Sequence, residues 1–468
     1  MKKAMGKAAI ITVGGDTPAV NASIESCRRA LHDMGFRKLY GIMGGYVGLM
    51  TNTHKGNIIG TTIDPLKGGS FLSSLRDSPT PPPDVRKKMK EMSHEEREKE
   101  KAKWEAKLQG ALKTIEELDL DLLIVIGGDG TMRATAEFME ELRKSRKCEV
   151  IALPRTIDND LGTQTIHHLS DKNKIMVPVC PGYPSAARNV AILVRRVRTT
   201  AESTHRIFVV EVMGRDAGWL TLATRWGWAE IQLIPEVNYV TNQEINEKNK
   251  EEAKKEERPI PSFEIPMQKV FERVEKEYTL NDPPNLIVVV CEGTFIDGAQ
   301  IKKTAYGERK LTGIGDFLAE LITQYLERGK LDRHLILNVE HKQEITLRPE
   351  VRCQHGDYEP RIGPPSRYDL LLAEVLAYYG LQEMIKEGIF GCLPTLKEVV
   401  SLQELKEAIE AREAQRLISF IQIENAKFQP VPVKTYYDFE TLTTTPDFDD
   451  FVAKILGGEP EFKLSRSL

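Results

Sequence analysis

Two apolar runs, Leu122 to Ile126 and Val150 to Leu153, each end in a glycine- or acid-rich loop. This repeated arrangement restricts the fold more than any other stretch of the 468-residue chain. Both runs lack polar alternation, as strands buried on both faces of a parallel sheet do. Parallel strands end on one edge of their sheet, and open α/β sheets bind ligands at that carboxyl edge. The first loop is Gly127-Gly128-Asp129-Gly130-Thr131, and the second is Pro154-Arg155-Thr156-Ile157-Asp158-Asn159-Asp160. Glycines let backbone N–H groups approach phosphate oxygens while Asp129 carries a cation. The second loop offers carboxylates as a base for an incoming hydroxyl, so the pair points to phosphoryl transfer.

A chain of this length exceeds one ordinary core and implies two interleaved lobes. Its 41% hydrophobic and 29% charged content is that of a soluble globular protein. The net charge of −4, with both signs interspersed, gives no field favouring nucleic acid or an anionic membrane. Cys27, Cys148, Cys180, Cys291, Cys353 and Cys392 are scattered without CxxC pairs, which argues against a zinc ribbon or a disulfide framework and fits a reduced cytoplasm. The apolar stretch Ala8 to Val13 is too short for a signal peptide, and no run approaches the ~20 apolar residues of a membrane span.

Along the chain, Ala8 to Val13 reads as the first strand, Gly14-Gly15-Asp16 as a tight turn and Ala19 to Met34 as an amphipathic helix. Gly68 to Arg76 forms another glycine-led loop. The segment Asp84 to Leu118 reads as one long, mostly solvated helix, with Trp104, Leu108, Leu112 and Ile115 at helical spacing. An irregular polar segment, Gly162 to Lys174, follows Asp160, and the Pro181 to Ala187 segment leads into a helix. Strands are expected at Ile207 to Met213, before Gly214-Arg215-Asp216, and at Leu286 to Cys291, before Glu292-Gly293. Glu244 to Pro261 reads as a charged surface excursion, and Leu370 to Tyr379 and Leu402 to Ile421 as packing helices. No repeat of 20 to 50 residues is present.

Gly-Gly-Asp-Gly-Thr alone names no substrate, since such a turn is often only a tight connection and also occurs in lipid and NAD kinases. The Thr156 to Asp160 string has a bland reading as a capped loop. Taken together with Thr12 to Asn21, Gly69 to Arg76, Arg206 to Arg215, Cys291-Glu292-Gly293 and the Arg352/Arg361 pair, however, the sequence from Ala8 to Asp369 resembles the phosphofructokinase family. Several features are closest to its pyrophosphate-related branch.

The resemblance implies an α/β fold of two doubly wound, Rossmann-like lobes, each a mostly parallel sheet flanked by helices. It implies a donor lobe over 1–165 completed by about 353–400, a sugar-phosphate lobe over 166–352, and C-terminal helices and a tail over 401–468. The implied activity is transfer of a phosphoryl group from MgATP to the 1-hydroxyl of fructose 6-phosphate, giving fructose 1,6-bisphosphate, a glycolytic step, with pyrophosphate as the alternative donor. Asp158 is the expected general base, with Thr156, Arg155 and Arg215 as further catalytic residues. Gly15, Arg76, Gly128, Asp129, Gly130 and Thr131 would bind the donor, with Asp129 holding the metal. Thr156, Asp158, Asp160, Arg206, Met213, Gly214, Arg215, Glu292, Arg352, Tyr358 and Arg361 would bind the sugar phosphate. In the family the arginines matching Arg206 and Arg352 reach a neighbouring subunit's site, which implies a homodimer or homotetramer.

Two positions divide the donors. Gly130, where pyrophosphate users carry Asp, leaves room for a nucleotide and favours ATP. Arg155, where bacterial ATP enzymes carry Gly and pyrophosphate enzymes Lys, leans the other way, as do the Pro181 to Ala187 segment, Trp219 and Tyr358. Asp216 and the Ile362-Gly363-Pro364-Pro365 string depart from the family pattern beside the sugar pocket, leaving a related sugar phosphate open. A non-catalytic, ligand-sensing subunit is the competing reading from another class.

Overall fold

The computed structural model describes residues 6–145, 148–162, 179–255, 260–261, 263–281, 284–299, 302–303, 309–310, 313–329, 333–338, 343–347, 349–459 and 462. Most of the polar segment expected after Asp160, residues 163–174, lies outside them. The strands of the two main sheets are, in chain order, β1 (Lys7–Thr12), β2 (Lys38–Ile42), β3 (His54–Asn57), β4 (Leu122–Gly127), β5 (Glu149–Pro154), β6 (Ile207–Val212), β7 (Ile231–Leu233), β8 (Leu286–Cys291), β9 (Val351–His355), β10 (Cys392–Leu396) and β11 (Ile418–Gln422). The helices that position the site are α1 (Val20–Asp33), α2 (Pro83–Glu91), α3 (His94–Leu118), α4 (Asp129–Ser145), α5 (Tyr183–Thr204), α6 (Ile314–Gly329), α7 (Arg367–Ala373) and α8 (Leu381–Glu387).

The chain divides into two compact units, Met1–Ser185 with Arg361–Gln429 and Ala186–Pro360 with Pro430–Leu468. The first holds a seven-stranded sheet in the order β11-β10-β5-β4-β1-β2-β3. The pairs β10/β5, β5/β4, β4/β1 and β1/β2 are parallel, while the two edge strands run antiparallel to their neighbours. Alternate residues of β1 and β4 enter different cores. Ala9, Ile11, Leu123 and Val125 pack with Ala111 and Ile115 of α3 and Phe138 of α4, whereas Ala8, Ile10, Leu122 and Ile124 pack with Val20 and Ile24 of α1 and Leu381 of α8. Side chains alternate across a strand, so a run that is apolar throughout is what two covered faces demand.

The second unit holds a four-stranded sheet, β9-β6-β8-β7, in which every neighbouring pair is parallel. Every residue of β8 is buried, while β9, at the edge, alternates between exposed and half-buried positions. Helix α6 packs against β9 and β6. Each unit thus has the mostly parallel, helix-flanked sheet expected of a doubly wound fold.

Three local expectations change. The long helix over Asp84 to Leu118 is two helices, because Met92 is extended (φ −71°, ψ 152°) and Ser93 restarts the chain with a capping box in which its side chain and that of Glu96 bond each other's backbone N–H. Helix α3 buries Trp104, Ala111, Thr114 and Ile115, so its inner stripe is core. The helical segment Leu402 to Ile421 ends early: a helix covers Leu402–Glu410, and Ile418 onward is β11, antiparallel to β10. The charged excursion contains a helix, Gln243–Lys255, followed by a short strand, Phe263–Pro266.

Residues after Pro430 build an aromatic cluster with Trp219. Ring centroids of Phe451 and Trp219 are 5.6 Å apart, of Tyr436 and Phe448 5.5 Å, and of Phe448 and Phe451 5.6 Å. Phe448 is fully buried. Phe448→Ala should therefore cost the second unit about 3–5 kcal/mol, read as a lower urea midpoint; an unchanged midpoint would mean the cluster is not core.

Candidate active site

Strands β1, β4 and β5 are adjacent and parallel, so the three segments that follow them emerge side by side. Beyond β1, Gly14 takes φ +98°, which glycine adopts without strain. Val13 bridges Leu75, and the Gly14 N–H donates to the Leu75 carbonyl at 3.2 Å. The Ser74 hydroxyl donates to the Gly14 carbonyl at 2.7 Å. The Gly14-Gly15 turn and the loop ending in Arg76 are therefore one structure, as far as the backbone is concerned.

Beyond β4, Asp129, Gly130 and Thr131 form the first turn of α4 rather than a free loop. Helix N-termini present unpaired N–H groups and a positive dipole end, which suits phosphate. Gly127 has to be glycine, since a Cβ there would lie 2.4 Å from Thr131 Oγ1. Gly130 is different: its backbone needs no glycine, and a Cβ there would meet nothing within 4 Å. Asp129 accepts from Arg133 Nη2 at 2.6 Å, and its side chain is 12% exposed against 62% for Arg133. A half-enclosed carboxylate whose partner among the described residues is a solvent-facing arginine suits Mg²⁺, which binds through one or two carboxylates plus substrate phosphates.

Beyond β5, Arg155 N–H donates to the Gly127 carbonyl at 2.8 Å, tying the second acidic loop to the first. Thr156, Asp158, Asn159 and Asp160 are all buried. The Thr156 hydroxyl donates to Asp160 Oδ1 at 3.0 Å and accepts from the Asp158 N–H at 3.0 Å. Asn159 takes a left-handed conformation (φ +51°), and its Oδ1 accepts from the Cys180 N–H at 2.9 Å. Thr156 N–H bonds the Pro181 carbonyl at 3.2 Å, and Asp160 O accepts from Gln429 N–H at 2.7 Å. Hydrogen bonds therefore tether the loop along its length.

Arg155 is the residue least at ease. It is 3% exposed, its Nη2 donates to the Val13 carbonyl, and its Nε has no hydrogen-bond partner among the described residues. Burial, together with the positive charges of Arg361 and Arg76, pushes its pKa down to about 9, with Asp16 opposing. Arg361 donates to the Asp16 carbonyl at 2.9 Å, and its Nη1 lies 2.7 Å from where a Gly15 Cβ would be. Arg76, Arg155 and Arg361 thus concentrate positive charge beside Gly15.

In the second unit, β6 and β8 end together. Gly214 (φ +152°) and Arg215 (φ +53°) form a tight turn whose N–H groups face Glu292 Oε1 at 3.4 and 3.2 Å. A Cβ on Gly293 would fall 1.5 Å from the Arg215 carbonyl, so that glycine is what lets the two turns dock. Met213, Gly214, Arg215 and Glu292 are therefore brought together, with Arg215 exposed. Tyr358 follows β9 at the same sheet edge and is 67% exposed.

Arg206 and Arg352 are elsewhere. Both stand at the amino ends of their strands and share Glu350, whose carboxyl they hold below its usual range, Arg206 most. Within this chain they do not join Met213, Arg215 and Glu292: the six residues of β6, roughly 20 Å, separate Arg206 from Met213, and Arg352, in register with Phe208, stands roughly 17 Å short of it.

Sequence reasoning missed two buried carboxyls. Asp369 accepts from Gly182 N–H at 2.8 Å and from Ser185 N–H at 2.9 Å, fixing the turn behind Thr156. Glu236 accepts from the N–H groups of Gly218 at 3.0 Å and Val431 at 2.7 Å, and burial pushes its pKa up to about 7. Neither belongs to a local motif, since their partners are distant in sequence. No helix among the described residues is long and apolar enough to cross a membrane, and all six cysteines are free.

Glycine turns at parallel strand ends, one beside a cluster of arginines, define a protein that handles phosphorylated ligands. The profile of the phosphofructokinase family matches residues 7–382, and the chain belongs to that family. It is 26% identical over 448 residues to pyrophosphate–fructose 6-phosphate 1-phosphotransferase of Amycolatopsis mediterranei, covering 92% of this chain and 98% of that one. It is 29% identical over 421 residues to ATP-dependent 6-phosphofructokinase 2 of Clostridium perfringens, covering 87% and 93%. The pyrophosphate-dependent phosphofructokinase of Marinobacter aquaeolei has a similar fold, with TM-score 0.63, 18% identity and coverage of 96% and 91%.

Replacing the buried Arg155 by an apolar side chain removes a desolvated charge, a change that is often neutral or stabilising. Arg155→Met should leave the ligand-free melting temperature unchanged or raised while weakening stabilisation by added pyrophosphate at least ~10-fold in half-saturating concentration, about 1.4 kcal/mol. A large drop in melting temperature with anion stabilisation intact would refute the assignment.

Proposed function

We propose that this chain is a 6-phosphofructokinase, transferring a phosphoryl group from MgATP to the 1-hydroxyl of fructose 6-phosphate to give fructose 1,6-bisphosphate. The observation that carries the reading is the bond from Arg155 N–H to Gly127 O, which holds the Asp129 helix start and the Asp158 loop side by side next to three arginines. Donor phosphates fit the Gly15 turn and the α4 N-terminus, where Gly128, Gly130 and Thr131 supply N–H groups and Arg76 and Arg155 supply charge; Arg361, expected on the sugar phosphate, stands at the Asp16 carbonyl beside Gly15 and is reassigned to this donor end. Asp129 would hold Mg²⁺ together with those phosphates, and the ion would draw off charge that develops on their oxygens.

Asp158 takes the proton of the attacking hydroxyl. The Thr156 hydroxyl is already committed to Asp160 and the Asp158 N–H, so it positions the base. Met213, Gly214, Arg215, Glu292 and Tyr358 receive the sugar, Glu292 accepting from its hydroxyls, and Arg215 also stabilises the transferred group. The catalysis is positioning and electrostatic stabilisation.

Gly130 favours ATP: among the described residues no atom lies within 4 Å of where a side chain there would start, whereas a carboxylate at that position would crowd and repel a nucleotide. A second reading, pyrophosphate as donor, is favoured by the buried Arg155, whose charge beside Arg76 and Arg361 suits a compact polyanion. The strand-end separation of Arg206 and Arg352 from Glu292 supports a homo-oligomer in which these arginines serve a neighbouring copy's sugar phosphate. A non-catalytic subunit that only senses these ligands is the reading to hold against all of this.

Two measurements test these assignments. A positioned base contributes about 10²- to 10⁴-fold, so Asp158→Asn should lower kcat by such a factor with KM for fructose 6-phosphate within a few-fold; unchanged turnover removes Asp158 from the role. Steady-state assays with fructose 6-phosphate and each donor should show turnover with MgATP, lost in Gly130→Asp. Turnover with pyrophosphate alone would transfer the assignment to the second donor, and fructose 6-phosphate binding without turnover on either would make the chain a sensor.

A further inference from the structure

We propose that Cys353, His355 and Asp316 form a binding site for a divalent transition-metal ion, zinc foremost, which ties the edge strand β9 to the start of α6. Cys353 and His355 are two residues apart on β9 and so project from the same face. Asp316 comes from the first turn of α6, which packs on that strand. The His355 Nε2 lies 3.8 Å from Cys353 Sγ and 3.2 Å from Asp316 Oδ2, and one ligand atom from each of the three residues falls within 4.8 Å of the others. A tetrahedral zinc with bonds of about 2.3 Å to sulfur and about 2.0–2.1 Å to nitrogen and oxygen sets S···N near ~3.6 Å and N···O near ~3.3 Å. The two spacings from His355 need shifts of only a few tenths of an ångström, and the sulfur-to-carboxylate spacing, within 4.8 Å, has to close toward about 3.6 Å.

The surroundings are built for close approach. A Cβ on Gly315 would lie 2.9 Å from Cys353 Sγ and 3.1 Å from Glu211 Oε2, so glycine there lets the helix start press into the cluster. Glu211, paired with His355 across β6 and β9, is buried and held by the N–H groups of Gly313 at 3.1 Å and Gly315 at 2.7 Å. Its Oε2 is 3.8 Å from His355 Nδ1, too long for a hydrogen bond as the ring now stands, and a small rotation of the imidazole would bring the two into the carboxylate–histidine contact that backs metal-bound histidines. Cys353, Glu211 and Asp316 face His355 from its own strand, the neighbouring strand and the helix, giving two carboxylates and a thiol around one imidazole. Three protein ligands leave a fourth position for water, and the Cys353 proton passes to solvent as the metal–sulfur bond forms.

The test is a cobalt titration of the chelator-treated, full-length protein. One equivalent of Co²⁺ should produce a near-ultraviolet thiolate-to-cobalt absorption and the visible bands of four-coordinate cobalt, both displaced by zinc. Both should be lost in Cys353→Ser, and His355→Ala should abolish the rise in melting temperature that zinc gives the parent protein. The other five cysteines are buried, so a thiolate band that persists in folded Cys353→Ser overturns the proposal, as does absence of any band in the parent. If Cys353→Ser does not fold, Asp316→Asn, at a side chain 63% exposed, decides: cobalt and zinc affinity unchanged from the parent overturns the site.

Discussion

Parallel pairing of β1, β4 and β5 is the constraint from which the first unit's chemistry follows. Parallel neighbours start and stop together, so Gly14-Gly15, the Asp129 helix start and the Arg155 to Asp160 loop emerge on one edge. The Arg155 N–H to Gly127 bond and the Thr156 bridge to Gly182 extend this pairing past the strands. A carboxylate on an untethered loop would lose orientation each time the loop moved. Asp158 instead sits in a segment bonded to β4, to the Cys180–Gly182 turn and, through Gln429, to the chain beyond β11.

The same edge concentrates positive charge at a cost. Arg155 is buried beside two further arginines, and its Nε finds no partner among the described residues. Buried charges persist in proteins when they are paired, and an unpaired one is costly. The arrangement makes sense as half of an interaction whose other half is a ligand's negative charge. Arginine's planar fork suits that role better than a lysine would, since two parallel bonds to phosphate oxygens fix direction as well as charge.

The legible part of this chain is what repeats at short range. The apolar runs of β4 and β5, the strand at Ile207 and the glycine turns were readable because strand burial and tight turns are written in neighbouring residues. Where partners lie far apart in sequence, reading failed. Nothing near Ile418 announces that it will extend β10 as an antiparallel edge, and nothing near Asp369 announces Gly182 and Ser185 as its partners. Ser93 was readable in principle, since Ser-x-x-Glu is a capping signature, but the charged pattern on either side concealed the break. The roles of Gly127 and Gly293 were equally hidden, because only the fold supplies the atoms that exclude a side chain there.

Arg206 and Arg352 are the residues that would serve a neighbouring copy in the homo-oligomer proposed above. Arg206 precedes β6 and Arg352 is the second residue of β9, and a strand is a rigid ruler: the six residues of β6 span roughly 20 Å and the distance from the level of Phe208 to Met213 is roughly 17 Å, longer than a hexose phosphate. A ligand seated at Met213, Arg215 and Glu292 therefore cannot also be clamped by this copy's Arg206 and Arg352. Their present partner, Glu350, is a weak competitor, since its side chain is 42% exposed and exposed ion pairs contribute only about 0–1 kcal/mol. Two arginines sharing one exposed carboxylate leave a net positive surface, and a phosphate dianion brought by a neighbouring copy would outbid Glu350 for both forks. In the homo-oligomer proposed above, the strand starts of one chain would complete the sugar site of another.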